Sequence, residues 1–477
     1  MSLTATSMTS YESAIQQLSA LIPELFTAPS SGGGAPVRRK FSLDQIGILA
    51  AALGDPHLRF PSVLIAGTNG KGSTASTLAS IAQAAGLRVG LYTSPHLERV
   101  NERIKFGGPE LVGLRDIPDE TFGHLFFRVQ DAAQELVRTG RLPTFPSYFE
   151  LLTALAFLYF AEPVEGSGPV DLAILEVGMG GRLDATNLVS PILSVITDIS
   201  LDHQEWLGDS IAAITREKAG ILRRNGILIT LPQHPEANQA LGEAAMELDV
   251  RGVSAAGYIP QLRGTIPDQP YALEVMGQTI QIDSPLHGAH QHRNLALAIA
   301  AAVELAQDPA LPRQFPITAA AIEQGIRATQ WPGRLETVRI AGEPEFLLDV
   351  AHNPAGAWAL RAALNAATPE PSSKSGQVLI FACLRDKPLR EMTQILFPIF
   401  DHVVLAPIHS PRATDAVDLA AAAEATGVPY TPATTVEEAI ELAESHHPAR
   451  IVISGSLYLV GEARTLLLQR KAMQGPA

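Results

Sequence analysis

The sequence predicts an α/β protein in two parts: an N-terminal, P-loop-like parallel-sheet domain over residues 1–330 and a smaller, Rossmann-like α/β domain over 331–477. Three observations lead to it. Apolar runs of strand length alternate with Ala- and Leu-rich stretches of helical composition, the rhythm of parallel strands joined by crossover helices. Residues 63–66 run straight into Gly67-Thr68-Asn69-Gly70-Lys71-Gly72-Ser73-Thr74, and a helical segment follows over 75–85, so the order is strand, glycine loop, helix. At Trp331-Pro332-Gly333-Arg334 the pattern breaks, and the strand–helix rhythm then restarts.

A chain of 477 residues exceeds one ordinary core, which supports two domains. Hydrophobic residues at 46% and charged residues at 18% supply ample core material and exclude disorder on a large scale. The formal charge of −14 repels polyanions, and the obvious basic run, Arg38-Arg39-Lys40, reads as a solvated turn, so no nucleic-acid partner is expected. A single cysteine, Cys383, forms no internal disulfide, which fits a reducing compartment and makes the cytoplasm the expected location. Residues 1–10 lack the basic start and apolar core of a signal peptide. The longest helix-like apolar run, 151–161, falls short of the about 20 residues that span a bilayer, so no membrane segment is expected. The chain is expected to act as a monomer.

Residues 11–27 read as an amphipathic helix, 28–36 as a glycine-rich inserted loop, and 41–53 as a helix ending at Gly54-Asp55-Pro56-His57. Residues 88–92 read as the second strand, which sets Thr93-Ser94-Pro95-His96-Leu97 at its C-terminal end. Residues 146–160 have the apolar density of a buried helix, with Ser147 as N-cap and Glu150 at capping-box spacing. A strand over 171–177 carries Glu176 near its end, and one over 192–197 leads into a polar loop, 198–208, containing Asp202-His203-Gln204-Glu205. A helix over 210–222 bears Arg216-Glu217-Lys218, and a short strand follows at 226–230. Residues 250–286 turn to shorter β-like runs, ahead of a long Ala-rich helix over 287–306 and another over 318–328. Beyond the break, strands are expected at 345–350, 378–382, 402–406 and 450–454, each followed by a helical stretch. The strands of the first part are expected to form a parallel sheet covered on both faces. Ligands of such sheets sit outside the carboxyl ends of the strands.

The loop 67–74 has the chemistry of a phosphate cradle. Glycine accepts positive φ and leaves no Cβ in the way, so several N–H groups face one anion while the helix N-terminus adds partial positive charge. The spacing departs from G-x-x-x-x-G-K-[ST], because Ile65 stands five before Gly70 and Gly72 follows Lys71. Gly67, Thr68, Asn69, Gly70, Lys71, Gly72, Ser73 and Thr74 are therefore expected to hold a nucleotide's phosphates as a variant loop. Ser94, Glu176 and His203 fall at strand ends or in the loops after strands, and a hydroxyl, a carboxylate and an imidazole beside a triphosphate form a candidate Mg2+ site. Each has a plainer reading, with Glu176 as a turn cap and His203 as a surface loop histidine. Lys218 reads from composition as a solvated helix lysine. Arg334 offers a fork of donors to a phosphate, and Asp349 and His352 set an acid and a histidine just after a strand of the second domain. Groups on both sides of the linker suggest a cleft that closes over the nucleotide.

These segments occur together with several others: Ser94-Pro95-His96-Leu97, Asn101-Glu102-Arg103-Ile104, Ser147-Tyr148-Phe149-Glu150, Glu176-Val177-Gly178-Met179-Gly180-Gly181-Arg182-Leu183-Asp184-Ala185-Thr186-Asn187, Asp202-His203, Arg216-Glu217-Lys218-Ala219-Gly220, His290-Gln291, Pro332-Gly333-Arg334 and Asp349-Val350-Ala351-His352-Asn353-Pro354. In this order they resemble the folylpolyglutamate synthase/dihydrofolate synthase family of the Mur ligase superfamily. The resemblance implies an ATP-dependent amide ligase of folate biosynthesis and one-carbon metabolism. ATP phosphorylates a carboxylate of the pterin substrate, and the amino group of L-glutamate attacks the acyl phosphate to give an amide, ADP and phosphate. It further implies Mg2+ on Ser94, Glu176 and His203, joined by Lys218 if that lysine is carbamylated. Lys71, His203 and Lys218 would be catalytic, Asn294, Arg334, Asp349 and His352 would contact the nucleotide, and Phe149 and Asp184 would lie on the pterin side. The form of 181–187 resembles the bifunctional bacterial kind, which implies both dihydropteroate and reduced folates as acceptors. Leu384-Arg385-Asp386-Lys387 departs from the pattern in lacking a glycine before its turn. The alternatives are polyglutamylation alone, a Mur-type ligase acting on a cell-wall precursor, and an ATP-binding switch with a protein partner.

Overall fold

The computed structural model describes residues 9–21, 42–163, 168–260, 269–366 and 376–474. The helix expected at 11–27 is present as Ser10–Ala20, and the glycine-rich stretch and Arg38-Arg39-Lys40 lie outside the described residues.

The first sheet has eight strands: β1 (Ser62–Ala66), β2 (Val89–Tyr92), β3 (Ile104–Gly107), β4 (Arg115–Asp116), β5 (Leu172–Glu176), β6 (Leu193–Ile196), β7 (Ile227–Thr230) and β8 (Arg251–Ser254). Their order is β4-β3-β2-β5-β1-β6-β7-β8. From β2 to β8 every pairing is parallel, while β3 and β4 add an antiparallel edge. No local pattern in the sequence marks this edge. After β2 the chain returns through residues 93–103, ending in the turn Val100–Arg103, with no crossover helix, and the strand it reaches, β3, pairs antiparallel.

Every residue of β1 and β5 is buried, because both faces of the sheet are covered. Val63 and Ile65 pack with side chains of the helices Lys71–Ala84, Ala289–Gln307 and Ala319–Arg327. Leu64 and Ala66 join the opposite core, with Leu43–Ala52, Asp119–Arg138 and Tyr148–Ala161. The last of these starts on the expected capping box, Ser147 Oγ accepting from Glu150 N while the Glu150 carboxylate accepts from Ser147 N. A hairpin, β9 (Tyr271–Val275) and β10 (Gln278–Ile282), accounts for the β-like runs before the long Ala-rich helix.

The second sheet comprises β11 (Glu336–Val338), β12 (Glu345–Leu348), β13 (Gln377–Phe381), β14 (His402–Leu405), β15 (Tyr430–Pro432) and β16 (Arg450–Ser454) in the order β11-β12-β16-β13-β14-β15. Only β11 runs antiparallel. Helices cover this sheet on both faces as well.

The strand order decides where chemistry gathers. β2, β5, β1 and β6 are successive neighbours, so the loops leaving their C-terminal ends, 93–96, 177–178, 67–70 and 197–203, share one rim. β12 and β13 deliver 349–353 and 382–387 from the second sheet.

Candidate active site

The glycine loop is shaped by close approaches that a side chain would block. Gly67 has φ +150° and Gly70 φ +86°. A Cβ on Gly67 would strike Thr197 Oγ1, one on Gly70 would strike Asn294 Oδ1, and one on Gly72 would enter the Trp331 ring. The loop therefore lies flat on the end of β6, on the long helix and on the inter-domain linker. Thr68 N and Asn69 N donate to Asp198 O at 2.8 and 3.2 Å, and Thr68 Oγ1 both donates to Ser200 O and accepts from Ser200 N at 3.1 Å. The helix starts at Lys71, four residues before the expected point, with left-handed Gly70 as its cap and no side chain bonded to its first N–H groups. Lys71 Nζ curls back onto the carbonyls of Gly67 and Thr68, both at 3.1 Å. Ser73 and Thr74 are buried in the first turn, and Thr74 Oγ1 donates to Asn294 O at 3.4 Å. Asn294 itself donates to Gln291 Oε1 at 2.8 Å.

Around Lys71 stand three groups whose proton affinities are displaced. Glu176 is 4% exposed; burial pushes its carboxyl up, while Lys71, the Ser94 N–H at 3.1 Å, Arg334 and Arg103 hold it down. Lys218 is 5% exposed, so the reading as a solvated lysine fails, and its Nζ donates to Gly67 O at 2.8 Å. Burial, reinforced by the charge of Lys71, pulls it down to about 7. His203 sits at φ +52°, and burial lowers it to about 4 against the pull of Asp202, so its imidazole is neutral. A buried carboxylate, a neutral imidazole and the hydroxyl of Ser94 are a donor set that fits Mg2+. Among the described residues no cluster of three or more His, Cys, Asp or Glu stands ready for a metal, and this sparse shell suits an ion that takes the rest of its oxygens from phosphates and water.

The second sheet reaches across to the same rim. Lys387 Nζ pairs with Asp202 Oδ1 at 2.8 Å, and Asn353 Nδ2 donates to both Asn69 Oδ1 at 3.0 Å and Asp202 Oδ2 at 3.3 Å. Asp349 accepts from Leu335 N at 3.0 Å and Ala351 N at 2.9 Å; burial pushes its carboxyl up, and Arg334 opposes that. Burial lowers Arg334 in turn, against the attraction of Asp349 and Glu176. His352 keeps its Nδ1 on Val350 O at 2.9 Å, and burial lowers it to about 4.

On the other side of Glu176, the Phe149 ring lies 6.0 Å from that of Tyr92, and an added Cβ on Gly178 would meet it at 2.6 Å. The carboxylate of Asp184 accepts from Met179 N, Thr186 N and Thr186 Oγ1 at 2.9, 3.0 and 2.5 Å, so it fastens the turn after Glu176. The sequence alone assigns no role to Asp202, Asn353 or Lys387. Their meeting was invisible because they are separated by 151 and 185 residues from Asp202, and no periodicity links them.

Residues 148–302 match the Mur ligase middle domain, and residues 333–457 match the Mur ligase glutamate ligase domain. A folylpolyglutamate synthase of Lacticaseibacillus casei is 34% identical over 445 residues, which cover 89% of this chain and 94% of that protein. The chain belongs to the folylpolyglutamate synthase/dihydrofolate synthase family of Mur ligases. A dihydrofolate synthase/folylpolyglutamate synthase of Mycobacterium tuberculosis is 35% identical over 454 residues, covering 89% of this chain and 90% of that protein. A crystal structure of M. tuberculosis folylpolyglutamate synthase complexed with ADP and AMPPCP superposes with a TM-score of 0.81 at 33% identity, over 96% of this chain and 99% of that one. Like the family to which it belongs, this enzyme is an ATP-dependent amide ligase, an acid–amino-acid ligase of folate metabolism. The glutamate ligase domain begins at Gly333, beside the break seen in the sequence.

Proposed function

We propose that the enzyme joins L-glutamate to dihydropteroate, making dihydrofolate, and to reduced folates, lengthening their glutamate tails. The observation that carries this reading is the meeting of Lys71 and Lys218 on the carbonyl of Gly67, with Glu176 and His203 near enough for the charge of Lys71 to act on them and with Arg334, Asp349 and His352 arriving from the second half. Two anions, a carboxylate and the γ-phosphate of ATP, must meet there, and cations around a water-poor pocket are what such an encounter requires.

Gly67 to Thr74 would hold the phosphates by backbone N–H groups and Lys71 Nζ, which exchanges the loop carbonyls for phosphate oxygens. A carboxylate oxygen of the acceptor attacks the γ-phosphorus, the bond to the β-phosphate oxygen breaks, and ADP keeps that electron pair. The glutamate nitrogen, as the free amine, then attacks the acyl carbon, phosphate departs with the electron pair of the acyl C–O bond, the nitrogen sheds a proton to solvent, and an amide remains. Ser94, Glu176, His203 and a carbamylated Lys218 would hold Mg2+, which supplies neutralisation of phosphate charge when bound. Asn294, Arg334, Asp349 and His352 would orient the nucleotide, with Phe149 and the turn built on Asp184 lining the pterin side. Residues 1–330 and 331–477 then act as two jaws, in a monomer working in the cytoplasm. Among the described residues no helix is long and apolar enough to cross a membrane.

The test uses purified protein, ATP, Mg2+ and labelled glutamate, with dihydropteroate in one arm and tetrahydrofolate in the other. Label is expected in amide product in both arms, with one ADP per bond and none after chelation of the metal. Product with tetrahydrofolate alone would reduce the activity to polyglutamylation, and ADP release indifferent to both pterins would overturn the reading. A parallel arm with uridine-linked precursors is expected to stay blank.

A further inference from the structure

The segment Asn101-Glu102-Arg103-Ile104 has no part in the chemistry so far, yet it carries a buried cation that makes no ion pair among the described residues. Arg103 is 8% exposed. Its Nε donates to His96 Nδ1 at 2.9 Å, and its guanidinium lies over the Tyr148 ring, 5.3 Å from the centroid. The imidazole accepts through its ring nitrogen and the phenol ring offers only its face, so neither partner brings a carboxylate to the guanidinium. Among the described residues no carboxylate forms an ion pair with Arg103. A buried cation without a paired anion is costly unless a ligand completes it, and Arg is the side chain whose fork matches a carboxylate.

The placement of Arg103 is also firmly built. Glu102, its neighbour, accepts from the N–H groups of Leu97, Glu98 and Arg99 at 2.7, 2.9 and 2.7 Å, and Arg103 O accepts from Thr93 N at 2.9 Å. The side chain is thus held between Tyr148, next to Phe149, and the loop that carries Ser94. Its charge bears on Glu176. Arg103 thus stands between Tyr148, beside Phe149 on the pterin side, and Glu176, on the side of the glycine loop.

We propose that Arg103 receives the acceptor's carboxylate, the one that is to be phosphorylated, and delivers it to the phosphate loop. This rests on the ligase reading given above and adds to it a residue and a contact. A guanidinium paired with one carboxylate oxygen leaves the other oxygen free to attack phosphorus, and it releases the carboxylate's charge once the acyl phosphate forms.

The test is equilibrium binding of dihydropteroate and of its decarboxylated aniline analogue to the full-length enzyme, alongside steady-state kinetics. Arg103→Met, similar in volume, is expected to weaken dihydropteroate binding on the order of 10- to 100-fold, the range for a hydrogen bond to a charged group. Binding of the analogue and the KM for ATP are expected to stay unchanged. Equal weakening of both pterins would mean a packing role only, and a raised KM for ATP or for glutamate with dihydropteroate binding intact would assign the guanidinium to another anion; each overturns the proposal. Should Arg103→Met fail to fold, Arg103→Lys, which keeps the charge without the fork, carries the same comparison: selective weakening of dihydropteroate supports the contact and equal weakening refutes it. A wild-type enzyme that binds dihydropteroate but joins glutamate to neither dihydropteroate nor tetrahydrofolate would instead refute the substrates proposed above and leave the contact standing.

Discussion

The ammonium of Lys218 donates a 2.8 Å hydrogen bond to the backbone carbonyl of Gly67, tying the helix Ile211–Ala219 to the first residue of the glycine loop. A lysine pulled down to about 7 by burial and by Lys71 is divided between its two protonation states at neutral pH, and only the neutral amine adds carbon dioxide. The neutral fraction grows as pH rises through about 7. Activity is therefore expected to climb over that window and with added bicarbonate. Carbon-13 NMR of enzyme in labelled bicarbonate is expected to show a carbamate signal that Lys218→Ala lacks. Full activity in carbonate-free buffer with no such signal would contradict this.

Lys71→Ala removes a preorganised donor without opening the core. We expect kcat to fall on the order of 10²-fold or more, as for loss of one electrostatic donor at a transition state. Thermal unfolding, followed by calorimetry, should be nearly unchanged, and a large drop in Tm would mark Lys71 as a structural residue.

Gly70→Ala is expected to hurt binding more than folding. At φ +86° a side chain costs about 1–2 kcal/mol, and the added Cβ would push Asn294 away from its bond to Gln291. Nucleotide titration by calorimetry should show the affinity lost while circular dichroism keeps the native spectrum.

Lys387→Met leaves Asp202 partly buried without its cation. Breaking a buried pair from one side costs about 3 kcal/mol, so urea unfolding should shift clearly, and Asp202→Asn in the same chain should restore part of the loss. If the single and double variants are equally unstable, the pair does not couple the two halves.

Acid should loosen the site before it unfolds the rest. His96, His203 and His352 titrate at about 3, 4 and 4 in the folded enzyme, against about 6.5 in an unfolded chain. Between about pH 4 and 6.5 the unfolded state binds more protons, so stability falls as pH is lowered through that window. The lowered carboxyl of Asp202 acts in the same direction at still lower pH. Tm measured from pH 7.5 down to 4.5 should decline, and His352→Gln should flatten part of that decline.

The sequence revealed the fold well where one strand or helix carries its own signal. The uniformly apolar β1 and β5 and the capping box at Ser147 are legible because burial on both faces and a local cap leave local marks. The edge strands β3 and β4 are not, since Arg115 and Asp116 are exposed and their pairing with β3 is made by the return through residues 108–114. The glycine loop and the residues at strand ends were readable from position alone. Composition alone makes Lys218 a solvated lysine because it says nothing about the carbonyl the side chain meets, and the segment holding Arg103 gives it no role because what distinguishes this arginine is the lack of an ion pair among the described residues.

Asn353 holds Asn69 and Asp202 together from the far sheet. A nascent chain emerging from the ribosome as far as residue 330 carries the whole glycine loop, Glu176, His203 and Lys218, yet lacks Arg334, Asn353 and Lys387. The loop is thus finished long before its electrostatic surroundings are. On the roles proposed above, competence arrives only when β12 and β13 have been made and docked, so translation itself would set the order in which the parts of this catalyst come into being.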